Sequence, residues 1–269
     1  MINNTLTIAG MDPSGGAGIL ADVKTMSALG TYACAVVAAL TAQNTQGVTG
    51  VQAITPEFVA LQLDTLFQDV RIDAVKIGML GHEKVTLAVT EKLAQFKPEY
   101  IVLDPVMVAK SGDVLLEKNA IHALKDALIP LSTMITPNLP EAGVLLDSRP
   151  VETIKEMYRV AEKLRKLMSD RENKWVLLKG GHLPGNDTID LLYNGDQMIE
   201  LPGQRIATKN THGTGCTLSA AICALLPQRQ NIPEATKQAK AYLVAAIAQA
   251  DRLTVGNGHG PVQHFHAWW

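Results

Sequence analysis

Short apolar runs alternate with segments of helical periodicity along almost the whole 269-residue chain. Leu6–Ala9, Ala33–Leu40, Ala74–Ile77, Tyr100–Leu103, Met134–Ile135 and Trp175–Leu178 are compact runs that end where polar or glycine residues begin, the pattern of strands buried on both faces. Pro56–Gln68, Lys84–Phe96, Asn119–Leu128 and Val151–Met168 carry apolar residues at helical spacing, and the last is strongly charged on its other face. The alternation is the sequence form of repeated βαβ units. It predicts an α/β fold of three layers, α/β/α, with a mostly parallel central sheet covered by helices on both faces. Asp187–Tyr193 and Gln197–Leu201 flank Asn194-Gly195-Asp196, a tight-turn sequence, so a small antiparallel hairpin is expected at the sheet edge. No repeat or Pro/Ser-rich linker interrupts the pattern, and residues 1–269 read as a single domain.

Composition narrows the picture. Apolar residues make up 47% of the chain but aromatics only 4%, so burial rests on Ala, Val, Leu and Ile, as in sheets covered by helices. Twenty-four basic against 26 acidic residues give a net charge of −2 without a basic stripe, which argues against a nucleic-acid partner. The longest apolar stretches, such as Tyr242 to Ala248, fall short of the roughly 18 residues that a membrane span needs. The amino terminus lacks the features of a signal peptide. Cys34, Cys216 and Cys223 have no paired spacing and argue against a disulfide framework or zinc cage, so a reducing cytoplasm is expected.

In open α/β sheets ligands bind at the carboxyl ends of the strands, so chemistry is sought at those junctions. After the first strand, Gly10-Met11-Asp12-Pro13-Ser14-Gly15-Gly16-Ala17-Gly18 is a glycine-rich loop in which Ser14 is placed to cap the following helix. Gly16 to Ala21 formally matches a dinucleotide fingerprint, but it starts several residues past the strand and no acidic residue ends the second strand, which disfavours a dehydrogenase. Gln43, at the end of the second strand, reads the edge of a heterocycle or merely shapes a loop with Asn44. Met79 and Val106 stand at two further strand ends, as a flat apolar wall or as core filler.

Asp104 directly follows a strand, where its carboxylate is available to magnesium. Asn138 and Glu141 lie three residues apart at a helix start, as ligand-binding groups or, for Glu141, as a first-turn acid. Lys179 precedes Gly180-Gly181-His182 and suits phosphate, or is simply solvated. The most informative segment runs from Asn210 to Ala221, where a glycine-rich turn enters a small-residue helix and free backbone N–H groups form an anion hole. It lacks the length and Lys-Ser/Thr of a Walker A loop. Cys216 in that position is expected to have a lowered thiol pKa, or else is a small buried residue. At the carboxyl end, His264 and His266 lack clear further metal ligands. Trp268 and Trp269 are expected to dock the chain end by burying roughly 150–250 Å² each.

Taken in order, the Asp12 to Gly18 loop, Gln43-Asn44-Thr45, Lys76-Ile77-Gly78-Met79, Asp104-Pro105-Val106-Met107, Lys110-Ser111-Gly112, Thr136 to Glu141, Lys179 to His182, Asn210 to Cys216 and the Phe265 to Trp269 ending resemble bacterial hydroxymethylpyrimidine/phosphomethylpyrimidine kinases over essentially the whole chain. The resemblance implies a ribokinase-like fold and two successive ATP-dependent phosphorylations of the thiamin pyrimidine. It implies that Gly10, Asp22, Gln43, Met79 and Val106 surround the pyrimidine, that Asp104 and Glu141 act on Mg2+, and that Asn138, Lys179 and Thr211 act on the nucleotide. Gly213, Thr214, Gly215 and Cys216 would then serve the charge of transfer, and a homodimer is expected. Two departures stand out: Met11 replaces a frequent Ser or Thr, and Cys216 stands where many ribokinase relatives carry an aspartate base. A pyridoxal kinase on the same fold, or a non-catalytic nucleotide or vitamin sensor, is the alternative.

Overall fold

The alternating pattern becomes one sheet. The computed structural model describes residues 1–107, 118–149, 151–170 and 173–269, which leaves Lys110-Ser111-Gly112 outside the described residues. Nine strands appear among them: β1 (Asn4–Met11), β2 (Tyr32–Asn44), β3 (Gly47–Ala53), β4 (Ala74–Ile77), β5 (Tyr100–Leu103), β6 (Met134–Ile135), β7 (Trp175–Leu178), β8 (Asp187–Tyr193) and β9 (Met198–Gln204). Their order is β3-β2-β1-β4-β5-β6-β7-β8-β9. The run from β2 to β7 is parallel, whereas β3 at one edge and the β8–β9 hairpin at the other are antiparallel.

The helices are α1 (Gly18–Ala28), α2 (Pro56–Asp69), α3 (Glu83–Phe96), α4 (Lys118–Ala123), α5 (Ile129–Leu131), α6 (Leu139–Leu145), α7 (Ile154–Arg165), α8 (Thr214–Leu225) and α9 (Ile232–Ala248). A π-helical turn, Leu124–Leu128, joins α4 to α5. Successive strand residues point to opposite faces, and the core divides accordingly. Val75, Ile77, Ile101, Leu103, Ile135, Val176 and Leu178 pack in one cluster with residues of α2, α3 and α7. Ala74, Val102, Met134, Trp175 and Leu177 pack on the other face with α8 and α9. Three layers result, as the pattern predicts.

Several local expectations change. β2 extends to Asn44 and pairs with β3, whose residues are exposed or half-buried and so lack apolar alternation. Ser14 does not cap α1, whose N-cap is Ala17 without a side-chain bond; its backbone N–H and hydroxyl both donate to Asp12. The charged helix starts at Ile154, because Thr153 accepts from the Glu156 N–H and caps it there. The terminal tryptophans do not dock the chain end, since Trp268 is 70% and Trp269 61% exposed. Gly260 to His264 are the buried residues of this segment. Gln263 N–H donates to the Ala246 carbonyl, the Tyr242 hydroxyl donates to the His264 carbonyl, and His264 Nε2 lies 3.2 Å from the Thr217 hydroxyl. Hydrogen bonding of the backbone, rather than aromatic area, fixes the tail.

Candidate active site

The carboxyl ends of the parallel strands and the start of α8 enclose a cavity of about 750 Å³. Gly10, Gln43, Met79, Asp104, Val106, Asn138, Glu141, Lys179, Thr211 and Gly213 to Cys216 all line it. Asp22 does not. It is fully buried behind the wall, bonded to Lys76 Nζ at 2.7 Å and to the Thr7 hydroxyl at 2.6 Å, because α1 turns its side chain toward the sheet. The placement of Asp22 around a ring ligand is therefore corrected.

One end of the cavity is built by β1, β2 and the loop before α1. Gly10 N–H donates to the Met79 carbonyl at 3.0 Å, tying two strand ends. Gln43 Oε1 accepts from the Thr41 hydroxyl at 3.1 Å, which leaves its amide nitrogen uncommitted among the described residues. The loop is drawn tight by Asp12, whose carboxylate accepts from Ser14 N–H, the Ser14 hydroxyl, Ala17 N–H and, at 2.7 Å, His212 Nε2. Against its burial, the bonds from His212 and Ser14 hold the Asp12 carboxyl below the usual range. Gly213, at φ +75°, packs backbone on backbone, and a Cβ there would collide with the Gly16 carbonyl oxygen. The first glycine-rich loop and the Asn210–Cys216 turn are thus one unit.

The other end carries the charges. Asp104 Oδ1 accepts from Lys179 Nζ and from the Thr136 hydroxyl, each at 3.1 Å. Against its complete burial, Lys179 and then Lys76 hold the Asp104 carboxyl below the usual range. Asn138 and Glu141 form a reciprocal capping box: Asn138 N–H donates to Glu141 Oε2 at 2.7 Å, and Glu141 N–H to Asn138 Oδ1 at 2.8 Å. Glu141 is thereby a first-turn acid and a cavity residue at once. Burial, reinforced by Asp104, pushes its carboxyl up to about 7 against the pull of Lys179. A Cβ on Gly215 would stand 3.4 Å from both Asp104 Oδ2 and Lys179 Nζ, so the first turn of α8 faces this pair.

Cys216 sits in that turn and is partly buried. Burial pushes the thiol up to about 11; Lys76 opposes the rise, while Asp22 and Asp104 add to it. The lowered thiol expected from the helix terminus is not what the fold produces, because desolvation outweighs the terminus here.

Sequence reasoning missed part of the lining. Val144 of α6, Ile206, and Leu243, Val244 and Ile247 of α9 form an apolar wall. Leu243 and Ile247 are one turn apart, a signal hidden by the alanines around them. Lys76, Asp12 and His212 were also passed over as site residues; each lies inside a quoted motif. Arg205 donates to the carbonyls of Gly181, Leu183 and Gly185 and so fixes the loop after Lys179. Asp190 takes Gly180 N–H at 2.9 Å and pairs with Lys240 at 2.8 Å.

Comparison with known proteins gives concordant findings. The family model described as phosphomethylpyrimidine kinase matches residues 12–263. The hydroxymethylpyrimidine/phosphomethylpyrimidine kinase of Escherichia coli (strain K12) is 53% identical over 268 residues, covering 99% of this chain and 98% of that protein. Among solved structures, a phosphomethylpyrimidine kinase from Clostridium difficile 630 is 41% identical with a TM-score of 0.80, covering 91% of this chain and 99% of that one. An ADP complex of Bacillus subtilis pyridoxal kinase is 32% identical with a TM-score of 0.90, covering 99% of each chain.

Proposed function

Because the chain belongs to the phosphomethylpyrimidine kinase family, we propose that it phosphorylates 4-amino-5-hydroxymethyl-2-methylpyrimidine with ATP and then phosphorylates that monophosphate, giving the diphosphate used in thiamin biosynthesis. The carrying observation is the single cavity that joins an amide-and-apolar end, Gln43, Met79 and Val106, to an anion-binding end, Lys179 and the start of α8. The ring sits between Met79 and Val106 with Gln43 reading its nitrogens and amine, and Gly10 lets it approach the backbone. ATP lies along Asn138, Lys179 and Thr211, its base against the apolar wall of α6 and α9. Gly213, Thr214 and Gly215 present N–H groups to the transferring phosphoryl oxygens. In the first step the Cys216 thiolate takes the proton of the substrate hydroxyl, whose oxygen attacks the γ-phosphorus as ADP leaves.

Asp104 and Glu141 suit Mg2+. Among the described residues no group of three or more His, Cys, Asp or Glu converges, and Mg2+ is usually held by one or two carboxylates with phosphate and water. When bound, it neutralises charge on the phosphates. Residues 1–269 act as one ribokinase-like unit. We further place the protein in the cytoplasm; no helix among the described residues is long and apolar enough to cross a membrane. A homodimer is supported by apolar side chains exposed on the β2–β3 edge, Leu40 and Val51, and light scattering tests it.

The second reading, a pyridoxal kinase, is favoured by the close backbone match to the Bacillus subtilis enzyme. Turnover of hydroxymethylpyrimidine, its monophosphate and pyridoxal, followed by mass detection of mono- and diphosphates, decides between them. Faster use of pyridoxal than of both pyrimidines would overturn the proposal. No ATP-dependent product at all would indicate a non-catalytic sensor.

A further inference from the structure

Beneath the anion hole lies a buried ion pair with no part in the scheme above. Lys76 and Asp22 side chains are both fully buried, with Nζ 2.7 Å from Oδ2. Replacing such a pair by apolar side chains is often neutral or stabilising, so its presence is weak evidence for a purely structural purpose. Its surroundings point elsewhere. Lys76 sits on the face of β4 that it shares with Ala74, toward α8, and it lines the cavity together with Cys216, Gly10 and Met79. Its ammonium spends one hydrogen bond on Asp22, and Asp22 Oδ1 has no partner among the described residues. A Cβ on Gly78 would stand 2.8 Å from the ammonium, so the glycine after β4 keeps this space open. On α1, Asp22 lies four residues after Gly18 and hence on the same helix face. α1 packs against α8, which carries Cys216, and holds the lysine through the Asp22 carboxylate.

We propose that Lys76 and Asp22 are a positioning pair for Cys216, in which the ammonium favours the thiolate and the carboxylate holds and tempers that ammonium. The proposal rests on the reading of Cys216 as the base of the first transfer. The charged groups whose fields reach the thiol are Lys76 from β4, Asp22 from α1, Asp104 after β5 and Lys179 after β7. Lys76 favours the thiolate more than Asp22 opposes it, and despite its burial Lys76 is held ionised by Asp22 and by the other anions around it. Removing either member therefore moves the thiol in opposite directions, which a scaffold role does not produce.

The test is the rate of iodoacetamide alkylation at Cys216 in the substrate-free protein, resolved by peptide mass from Cys34 and Cys223, with buried Cys223 as the monitor of intact packing. Lys76→Met is expected to slow alkylation about tenfold or more at fixed pH, and Asp22→Asn to accelerate it. Lys76→Met should also lower kcat for the alcohol step while leaving its KM within about twofold, as expected of a group acting only in the transition state. Should a single variant fold poorly, Lys76→Met/Asp22→Leu removes both charges, keeps the core apolar and is expected to alkylate more slowly than the unaltered protein. Unchanged alkylation, or the same direction in Lys76→Met and Asp22→Asn, overturns the proposal. Failure of the kinase reading shows separately, as absent turnover in the unaltered protein.

Discussion

Replacing Cys216 with Ala separates the thiol from the backbone around it. The substitution keeps every N–H of the first turn of α8 and removes only the group whose ionisation burial has pushed up to about 11. At pH 8 such a thiol is ionised in roughly one molecule in a thousand, so the rate of the alcohol step should climb about tenfold per pH unit between pH 7 and 9.5. The substrate of the second step is itself a phosphate whose second pKa is about 6, ionised at about 99% at pH 8, and it needs no base. Cys216→Ala is therefore expected to lower the alcohol step by roughly 10²–10⁴-fold and to flatten its pH climb, while the monophosphate step falls by less than about tenfold. Single-turnover reactions with each substrate, quenched between pH 6.5 and 9.5 and read by mass, give both numbers. Equal losses in the two steps, or an unaltered pH climb in the alcohol step, would refute the base and leave only the anion hole.

The remaining expectations follow from the same geometry. Gln43→Ala should raise KM for the pyrimidine by an amount worth about 1–3 kcal/mol, with KM for ATP unchanged, because only the ring loses its amide partner; the reverse pattern in steady-state kinetics would remove Gln43 from the ring. Glu141, pushed up to about 7, is protonated below that pH, so apparent magnesium affinity should weaken as pH falls from 8 to 6; in Glu141→Ala turnover should fall, recover in part at high magnesium and lose this pH trend. Gly213→Ala adds a Cβ against Gly16 backbone at φ +75°, and a displacement of about 1 Å there should cost both steps roughly 10²-fold at equal protein folding by circular dichroism. His264, buried and pushed down to about 3, binds its proton only in the unfolded chain between pH 3 and 6.5; its contribution to stability is therefore intact above pH 6.5 and declines at about 1.4 kcal/mol per unit as pH falls toward 3. His264→Gln should flatten that part of the denaturant-midpoint profile.

The parallel strands were legible because burial on both faces leaves an uninterrupted apolar run, as in Ile101-Val102-Leu103. β3 was not, because an edge strand with exposed Thr49, Gly50 and Val51 carries no period that distinguishes it from a loop. α9 escaped for a related reason: its many alanines blur the apolar stripe, although Asn231 with Glu234 three residues on marks its start. Site residues at strand ends could be named from order alone, since topology carries every such end to one edge. What order does not carry is depth. Asp22 and Cys216 were both placed at the site from sequence, yet one is sealed behind the wall and the other has its thiol raised rather than lowered. Desolvation depends on how α1, β4 and α8 pack together, and no local pattern encodes it.

Depth also bears on how one cavity serves two different acceptors. An alcohol must lose a proton to attack, whereas a phosphate brings charge that the site must tolerate. Lys179 and Asp104 stand beside Gly215 in the first turn of α8, and Lys76 and Glu141 line the same cavity. Asp104 is held ionised by its lysines, while Glu141, pushed up to about 7, is about half protonated at pH 7. A carboxyl poised there can shed or keep its proton as a charged acceptor replaces a neutral one, so the change of substrate charge is absorbed by protonation rather than by rebuilding the cavity. The anion hole can then remain fixed, as the backbone contact between Gly213 and Gly16 requires.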